Sequence, residues 1–495
     1  MQQTLPSATR IRDTLVRSPG LAAALALAIG GIVGAATAFG PLYAVAGLLG
    51  LAVGYVMLVS VEAGLIAVFA IATLIPFGTL PFKAIITPNF LTLALLGLSV
   101  VWVLRLLARS DSYELRISPL GLPLLGFLGL TLFSLVLGAG GLPDTQTLHN
   151  YAKFVLGVLL FFSVLNTVRS REQARLAMRA LIICGGIAAG TALILYVLND
   201  TLALNLLVAL SRIGYPSAGR VLRYVEDDPD GLERAIGLSV DPNSFGGMLA
   251  LVSVLGAAQL MARRPVLPRG LLTCIVGLMG LALLLTFSRA ALFGLIIAAA
   301  YLATVRYRRL WWVMIAAGTL GGLVLFGLGI ADDFTERVVS GVQFEDQAQQ
   351  MRLAEYQNAV AIIERYPAFG IGFGQAPDID LTAGVSSIYL AIGQRVGLVG
   401  LGAFLALLAA WFVITLRRLP GLDDERISWV LGCQAAIVAA LAVGLADHYF
   451  FNIEFSHMVA LFWGTIGLGV AISDVPAAEP LPQGAWIVAE GAVSE

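Results

Sequence analysis

A single arginine interrupts a long apolar stretch of the chain. Arg289 lies in the sequence Leu284-Leu-Thr-Phe-Ser-Arg-Ala-Ala-Leu-Phe-Gly294, between basic clusters at 263–264 and 306–309. An ionised guanidinium at membrane depth is costly unless an anion or water receives it, and the arginine fork suits bidentate binding of phosphate. The sequence therefore predicts an anion-binding residue here. The alternative is an interfacial arginine whose guanidinium reaches the membrane surface.

Eight further arginines lie in segments that we assign to the outer side of a membrane. Such a concentration opposes the usual inward bias of basic residues, and a pyrophosphate presented at the outer leaflet would explain it. The alternative is local pairing with acidic residues of the same loop, such as Glu226 and Asp228. The eight are Arg212, Arg220, Arg223 and Arg234 in a loop at about 200–236, Arg337, Arg352 and Arg365 in a longer loop at about 331–385, and Arg395.

The composition is that of a polytopic membrane protein. Of 495 residues, 59% are hydrophobic and 12% charged, and the mean hydropathy is +0.89, so we expect an all-α fold with about 12–14 transmembrane helices. A net charge of -1 favours no nucleic-acid partner, and the three Cys and three His lack metal-ligand spacing. The predicted spans are 20–38, 41–59, 62–80, 89–108, 119–140, 151–168, 180–199, 237–261, 270–287, 290–305, 310–330, 386–416, 428–446 and 456–473.

The distribution of arginine predicts the orientation of these spans. Six arginine clusters alternate with the outer loops, so they fall on one side, and both termini are predicted to be cytoplasmic. The rule also requires residues 270–305 to form two short helices with a turn at Thr286–Arg289. We expect a cytoplasmic segment 1–19 followed by a retained signal anchor, a single transmembrane domain at 20–473, and a disordered cytoplasmic tail at 474–495.

The longer outer loop contains an amphipathic pattern. Apolar residues at Leu353, Tyr356, Val360 and Ile363 predict a helix that ends before Pro367. The sequence Ala368-Phe-Gly-Ile-Gly-Phe-Gly374 follows. It predicts a glycine-rich turn, and it lacks the context of a dinucleotide-binding fingerprint.

Several motifs occur in an order that resembles the O-antigen ligase and polysaccharide polymerase superfamily of bacterial envelope glycosyltransferases. They span about 230–470, whereas the first 230 residues match in hydropathy alone. The motifs are Arg234-Ala-Ile-Gly-Leu-Ser-Val-Asp-Pro-Asn243, Thr286-Phe-Ser-Arg289, Arg352 ahead of Tyr366-Pro-Ala-Phe-Gly-Ile-Gly-Phe-Gly374, and Ser387-Ile-Tyr-Leu390 before Gly397-Leu-Val-Gly400.

The resemblance implies a GT-C-type membrane fold in the bacterial inner membrane, with a cavity open to the periplasm. The donor would be a glycan on undecaprenyl pyrophosphate, held by Arg289 and Arg352, and the acceptor a second lipid-linked saccharide. No metal or cofactor is implied, because guanidinium groups can offset the charge of the leaving group. A chain-length regulator is a candidate partner, alongside membrane lipid. Candidate substrate-binding residues are Arg220, Arg223, Arg234, Asp241, Asn243, Arg395, Ser386, Ser387 and Tyr389, although Asp-Pro-Asn is also an ordinary helix-capping sequence.

The chain departs from the ligase pattern at one position. Ligases usually carry a His-Asn or similar pair shortly before the Gly-x-x-Gly, and here that pair is Ser386-Ser387. Serine is not a general base near neutral pH without activation. The remaining candidates for the base are Asp447 and His448, then Glu454, His457, Asp378 and Asp380.

The substitution favours a polymerase that joins one lipid-linked repeat to the next. A ligase that transfers the glycan to lipid A-core or another acceptor is the alternative. A lipid-linked oligosaccharide flippase or solute transporter is the competing class. Such a protein would have ionisable residues at mid-membrane in several helices, and helices interrupted by glycine or proline at corresponding positions in its two halves.

Overall fold

The structure of the protein is a computed structural model that describes residues 60–80, 88–108, 115–141, 143–327, 347–375 and 384–475, with a few positions between 30 and 57. The predicted spans 20–38 and 41–59, the terminal segments and Asp378 and Asp380 lie almost entirely outside these residues. The α-helices are α1 (Val61–Leu74), α2 (Phe90–Ala108), α3 (Gly121–Leu137), α4 (Thr145–Thr167), α5 (Arg171–Val197), α6 (Asp200–Ala209), α7 (Pro242–Leu260), α8 (Arg269–Leu285), α9 (Arg289–Val305), α10 (Arg309–Gly327), α11 (Gln347–Arg365), α12 (Ile388–Arg418), α13 (Asp424–Val443) and α14 (Ser456–Asp474).

The helices confirm an all-α polytopic membrane protein. Within the described residues, α4, α5, α7, α12, α13 and α14 are long and apolar enough to cross a membrane. Shorter apolar helical stretches are α1, α3, α8, α9, Phe90–Leu104 of α2 and Arg309–Val324 of α10. Each predicted span from 62–80 onward coincides with one of these twelve helices. The turn predicted at Thr286–Arg289 is confirmed, and it is one residue shorter, because α8 ends at Leu285 and α9 begins at Arg289.

Three helices form the interior of the bundle. α7, α13 and α14 are buried along most of their length, and glycine permits close approach between α14 and α4. A Cβ at Gly467 would lie 2.9 Å from the carbonyl oxygen of Phe161, which is the small-residue packing typical of membrane helices. The outer helix α10 instead exposes Trp312 and Phe326, as expected where lipid covers apolar side chains.

The two ends of α13 carry different charge clusters. At its start, Asp423 pairs with Arg171 at 2.6 Å, and Asp424 pairs with Arg263 at 3.0 Å and Arg306 at 2.9 Å. These arginines come from three of the clusters predicted to share one side of the membrane. Asp447 follows the opposite end of α13, about 30 Å away for 20 residues, which is about the thickness of a bilayer core.

Three local expectations need correction. The segment at 200–236 is not all loop, because α6 and two short 3₁₀ turns lie within it. The helix predicted before Pro367 is present as α11, but Leu353 and Val360 are exposed, and its inward face contains Ala359 and Ile362. The predicted span 386–416 is broken at Gly397, where φ is 75° and ψ is -179°.

Candidate functional site

An acidic and a basic side chain meet at the end of the bundle where α13 ends. The Nη2 atom of Arg352, on α11, lies 3.7 Å from Oδ1 of Asp447, in the loop between α13 and α14. The Asp447 side chain is 4% exposed and the Arg352 side chain 24%, so the pair is open from the arginine side. The Oδ2 atom of Asp447 is buried and has no hydrogen-bond partner among the described residues.

The environment of Asp447 alters its acidity. Burial and, to a smaller extent, the carboxylate of Asp241 raise its pKa to about 7, although the Arg352 charge opposes the shift. A carboxylate with a pKa near 7 is divided between its protonated and ionised forms at neutral pH, which suits a general base. The unpartnered Oδ2 is the atom that would accept a proton.

Arg234 connects the site to the turn before Arg289. Its Nη2 donates to Oδ1 of Asn243 at 2.6 Å, and its Nε donates to the carbonyl oxygen of Thr286 at 2.8 Å. Burial lowers the pKa of Arg234, while Asp241 and Asp447 oppose the shift. Arg289 is the exposed first residue of α9, and Ser288 caps that helix by accepting from the amide of Ala291. Arg234 therefore anchors the turn that presents Arg289.

Asp241 serves two structural purposes. Its Oδ1 accepts from the amide of Ser244 at 2.7 Å and so caps α7, as the capping interpretation of Asp-Pro-Asn predicts. It also accepts a hydrogen bond from the hydroxyl of Tyr449, whose pKa burial and the Asp241 charge raise well above its ordinary value. Asp241 thereby fixes the loop that carries Asp447.

Glu355 is a site residue that the sequence pattern did not single out. Its Oε2 accepts from the amide of Ser386 at 2.9 Å and from the Ser386 hydroxyl at 2.7 Å. Tyr356, the next residue of α11, donates to the carbonyl oxygen of Ser386 at 3.1 Å. The spacing from Arg352 was the available signal, because residues three and four apart share a helix face.

The glycine-rich turn packs against the break in α12. The amides of Ile371 and Gly372 donate to the carbonyl oxygens of Gln394 and Arg395, both at 2.9 Å, which lack helical partners because the helix is broken. In return, Leu398 donates to the carbonyl oxygen of Pro367 at 2.7 Å. The turn thus replaces the hydrogen bonds that the break removes.

Two further elements hold this turn. The Arg395 guanidinium donates to the carbonyl oxygens of Gly372 at 3.2 Å and Gly374 at 2.9 Å. From α3, the Ser134 hydroxyl donates to the carbonyl oxygen of Phe369 at 2.8 Å. The substrate role expected for Arg395 stays a prediction, and its observed contacts fix the segment that follows α11.

Gly397→Ala is expected to destabilise the protein. Its backbone conformation is essentially restricted to glycine and costs other residues about 1–3 kcal/mol, and a Cβ there would lie 2.2 Å from the carbonyl oxygen of Ala368. Thermal unfolding in detergent should show a lower midpoint than wild type. Gly402→Ala is the matched control in α12, where a Cβ meets nothing within 4 Å. Equal midpoints for the two variants would contradict this account.

The other predicted site residues occupy varied positions. Ser387 and Tyr389 donate to the carbonyl oxygens of Gly444 and Leu441, at 3.3 and 2.9 Å. The Nε of Arg223 and the Nδ1 of His448 are buried without a hydrogen-bond partner in the part of the chain that the structure describes. Arg220 and Glu454 are exposed, and His457 is buried in α14, 3.4 Å from the Ser244 hydroxyl.

The site thus brings together Arg234, Asp241, Asn243, Arg352 and Asp447 from three separate segments: the motif at 234–243, α11 and the loop after α13. Burial lowers the pKa of the neighbouring His448, which favours its neutral form. Within the described ranges, no group of three His, Cys, Asp or Glu side chains is arranged to hold a metal ion. The chemistry available here is anion binding by guanidinium groups beside a carboxylate that can accept a proton.

Comparison with known proteins agrees with the arrangement of motifs. Residues 274–405 match the family described as O-antigen ligase. A chain from a solved peptidoglycan synthase complex that coordinates polymerization and crosslinking shares 19% identity at a TM-score of 0.38, covering 73% of this chain and 97% of that one. None of the curated proteins compared matches the sequence. The matched segment carries Arg289 and Arg352, and it supports the resemblance of this multi-pass membrane protein to the O-antigen ligase and polymerase superfamily.

Proposed function

We propose that the protein is a polysaccharide polymerase of the bacterial inner membrane. It transfers a saccharide from undecaprenyl pyrophosphate to a sugar hydroxyl of a second lipid-linked saccharide, at the periplasmic face and without a metal ion. The observation that carries the proposal is the separation of 3.7 Å between the Arg352 guanidinium and the buried carboxylate of Asp447. One group suits the leaving pyrophosphate, and the other suits the attacking hydroxyl.

In the proposed reaction, the acceptor hydroxyl gives its proton to Oδ2 of Asp447 as its oxygen attacks the anomeric carbon of the donor sugar. The bond from that carbon to the pyrophosphate oxygen breaks, and its electron pair leaves with undecaprenyl pyrophosphate. Arg352 and Arg289 stabilise the charge that develops on the leaving group. Arg234 keeps the Arg289 turn in place through Thr286.

The support for Asp447 is that it is buried, ionisable near neutral pH and unpartnered at one oxygen. Ser386 occupies the place of the ligase histidine, and its hydroxyl is held by Glu355 at 2.7 Å. A base at Asp447 therefore removes the need for one at Ser386.

Incubation of the purified protein with a lipid-pyrophosphate-linked repeat unit tests the proposal. We expect a ladder of longer lipid-linked glycans, with and without a chelator of divalent metal ions, and its loss in Arg289→Ala. The matched control is Arg264→Ala, since Arg264 is exposed beside the charge cluster at the other end of the bundle. Transfer only after addition of a lipid A-core acceptor would make the protein a ligase, and no transfer to either acceptor would favour a transporter.

A further inference from the structure

One face of α4 is polar, although the helix is apolar enough to span a membrane. His149, Asn150 and Lys153 are half-buried, and Lys153 lies four residues after His149 and three after Asn150, so it shares a face with both. Gln146 extends the face by one turn and donates to Oδ1 of Asn150 at 3.3 Å. The adjoining face carries Tyr151 and Phe154, which are buried.

Lys153 has no acidic partner in the described parts of the chain. Its Nζ donates to Oδ1 of Asn150 at 3.2 Å, and no carboxylate of those residues lies within ion-pair distance. The Nε2 atom of the neighbouring His149 is buried without a hydrogen-bond partner. A partly buried ammonium within a spanning helix is costly to leave without an anion, so these groups form an incomplete site for a negatively charged ligand.

The face lies at the same end of the bundle as Asp447. α4 begins at Thr145, and its other end leads to Arg171, which belongs to the opposite charge cluster. Phe154 and Phe451 have ring centroids 5.2 Å apart, and Phe451 belongs to the Asp447 loop. α4 therefore packs against the loop of the proposed catalytic site through Phe154 and presents Lys153 on the adjoining face.

We propose that His149, Asn150 and Lys153 bind the pyrophosphate of the acceptor, the second lipid-linked saccharide. This assignment rests on the proposed polymerase function. In such a reaction the hydroxyl of the acceptor saccharide must reach Asp447. The pyrophosphate of the acceptor lies at the other end of that saccharide, away from Asp447. The acceptor pyrophosphate cannot share the Arg352 site, which the donor fills, so a second cationic site is needed at the same membrane face.

A kinetic test separates the two substrates. The donor is a lipid-linked saccharide that lacks its acceptor hydroxyl, and the acceptor saccharide is supplied either on undecaprenyl pyrophosphate or as a neutral alkyl glycoside. Lys153→Met should raise KM for the pyrophosphate acceptor about tenfold or more, the loss expected for one charge-assisted contact, and leave KM for the alkyl glycoside and the donor unchanged. Lys153→Arg should restore most of the affinity, and Arg264→Met is the matched loss of charge at the other end. Equal increases for both acceptors would overturn the assignment.

A binding test gives a result even if no transfer occurs. By native mass spectrometry in detergent, wild type should bind two molecules of undecaprenyl pyrophosphate. The Lys153→Met variant should bind one molecule, and the double variant Lys153→Met/Arg352→Met should bind none. Two molecules bound to Lys153→Met would refute the site. Phosphatidylglycerol that displaces one of the two molecules from wild type but not from Lys153→Met would make it a phospholipid site instead. Binding as expected without any transfer would reject the polymerase reaction alone.

Discussion

Asp447→Asn is expected to lower kcat by about 10²- to 10⁴-fold, the usual contribution of a general base. The substitution keeps the size of the side chain and its place beside Arg352, but the amide cannot accept the proton of the acceptor hydroxyl. The measurement is the initial rate of ladder formation at saturating substrate. Asp230→Asn is the control, because Asp230 is an exposed carboxylate in a loop at the same end of the bundle. A rate within threefold of wild type for Asp447→Asn would exclude Asp447 as the base.

The same residue predicts the pH dependence of wild type. With its pKa raised to about 7 by burial, Asp447 is protonated and inactive as a base below that pH. The value of kcat/KM should therefore fall as the pH decreases through about 7, and this limb should be absent from the residual activity of Asp447→Asn. A limb that persists unchanged in the variant would assign the titration to another group.

Arg352→Met is expected to lower kcat by about 10²- to 10³-fold, which is typical for removal of one group that stabilises charge in the transition state. Its loss also removes the positive charge that holds down the pKa of Asp447. The acidic limb of kcat/KM in the residual activity should thus move to higher pH. Arg352→Lys should restore the position of the limb more fully than the rate, because lysine retains the charge and lacks the bidentate fork.

The control for Arg352 lies on the same helix. Arg365→Met removes an equal charge from an exposed position in the last turn of α11 and should change kcat by less than about threefold, the range expected for a surface substitution. A similar loss in both variants would indicate a general effect of charge on α11, and the specific role of Arg352 would be wrong.

The sequence predicted those features that depend on local pattern. The turn before Arg289 followed from the placement of arginine clusters, and α11 followed from apolar spacing ended by Pro367. The apolar spacing did not indicate which face of α11 packs inward, because Leu353 and Val360 are apolar on a surface where apolarity does not imply burial in protein. In a membrane protein, apolar side chains can contact lipid as favourably as they contact the protein interior.

Contacts between distant segments could not be predicted from the sequence. Asp447 and Arg352 were each candidates, but nothing local indicated that they lie 3.7 Å apart, since the loop after α13 and the helix α11 meet only through tertiary packing. The break at Gly397 was hidden for a related reason. A glycine within an apolar run predicts neither a helical nor a broken backbone, and the partner segment at 370–372 decides between them.

The exchange of backbone hydrogen bonds between the glycine-rich turn and the broken helix has a consequence for hybrid proteins. Neither segment can satisfy its amides and carbonyls alone, so the two form one structural unit although α12 begins outside the long loop. A chimera that takes residues 331–385 from a related protein would keep α11 in register only if residues 388–400 came from the same parent. If α11 binds the donor as proposed, substrate preference would then be inherited with a segment that includes both the loop and the start of the membrane helix.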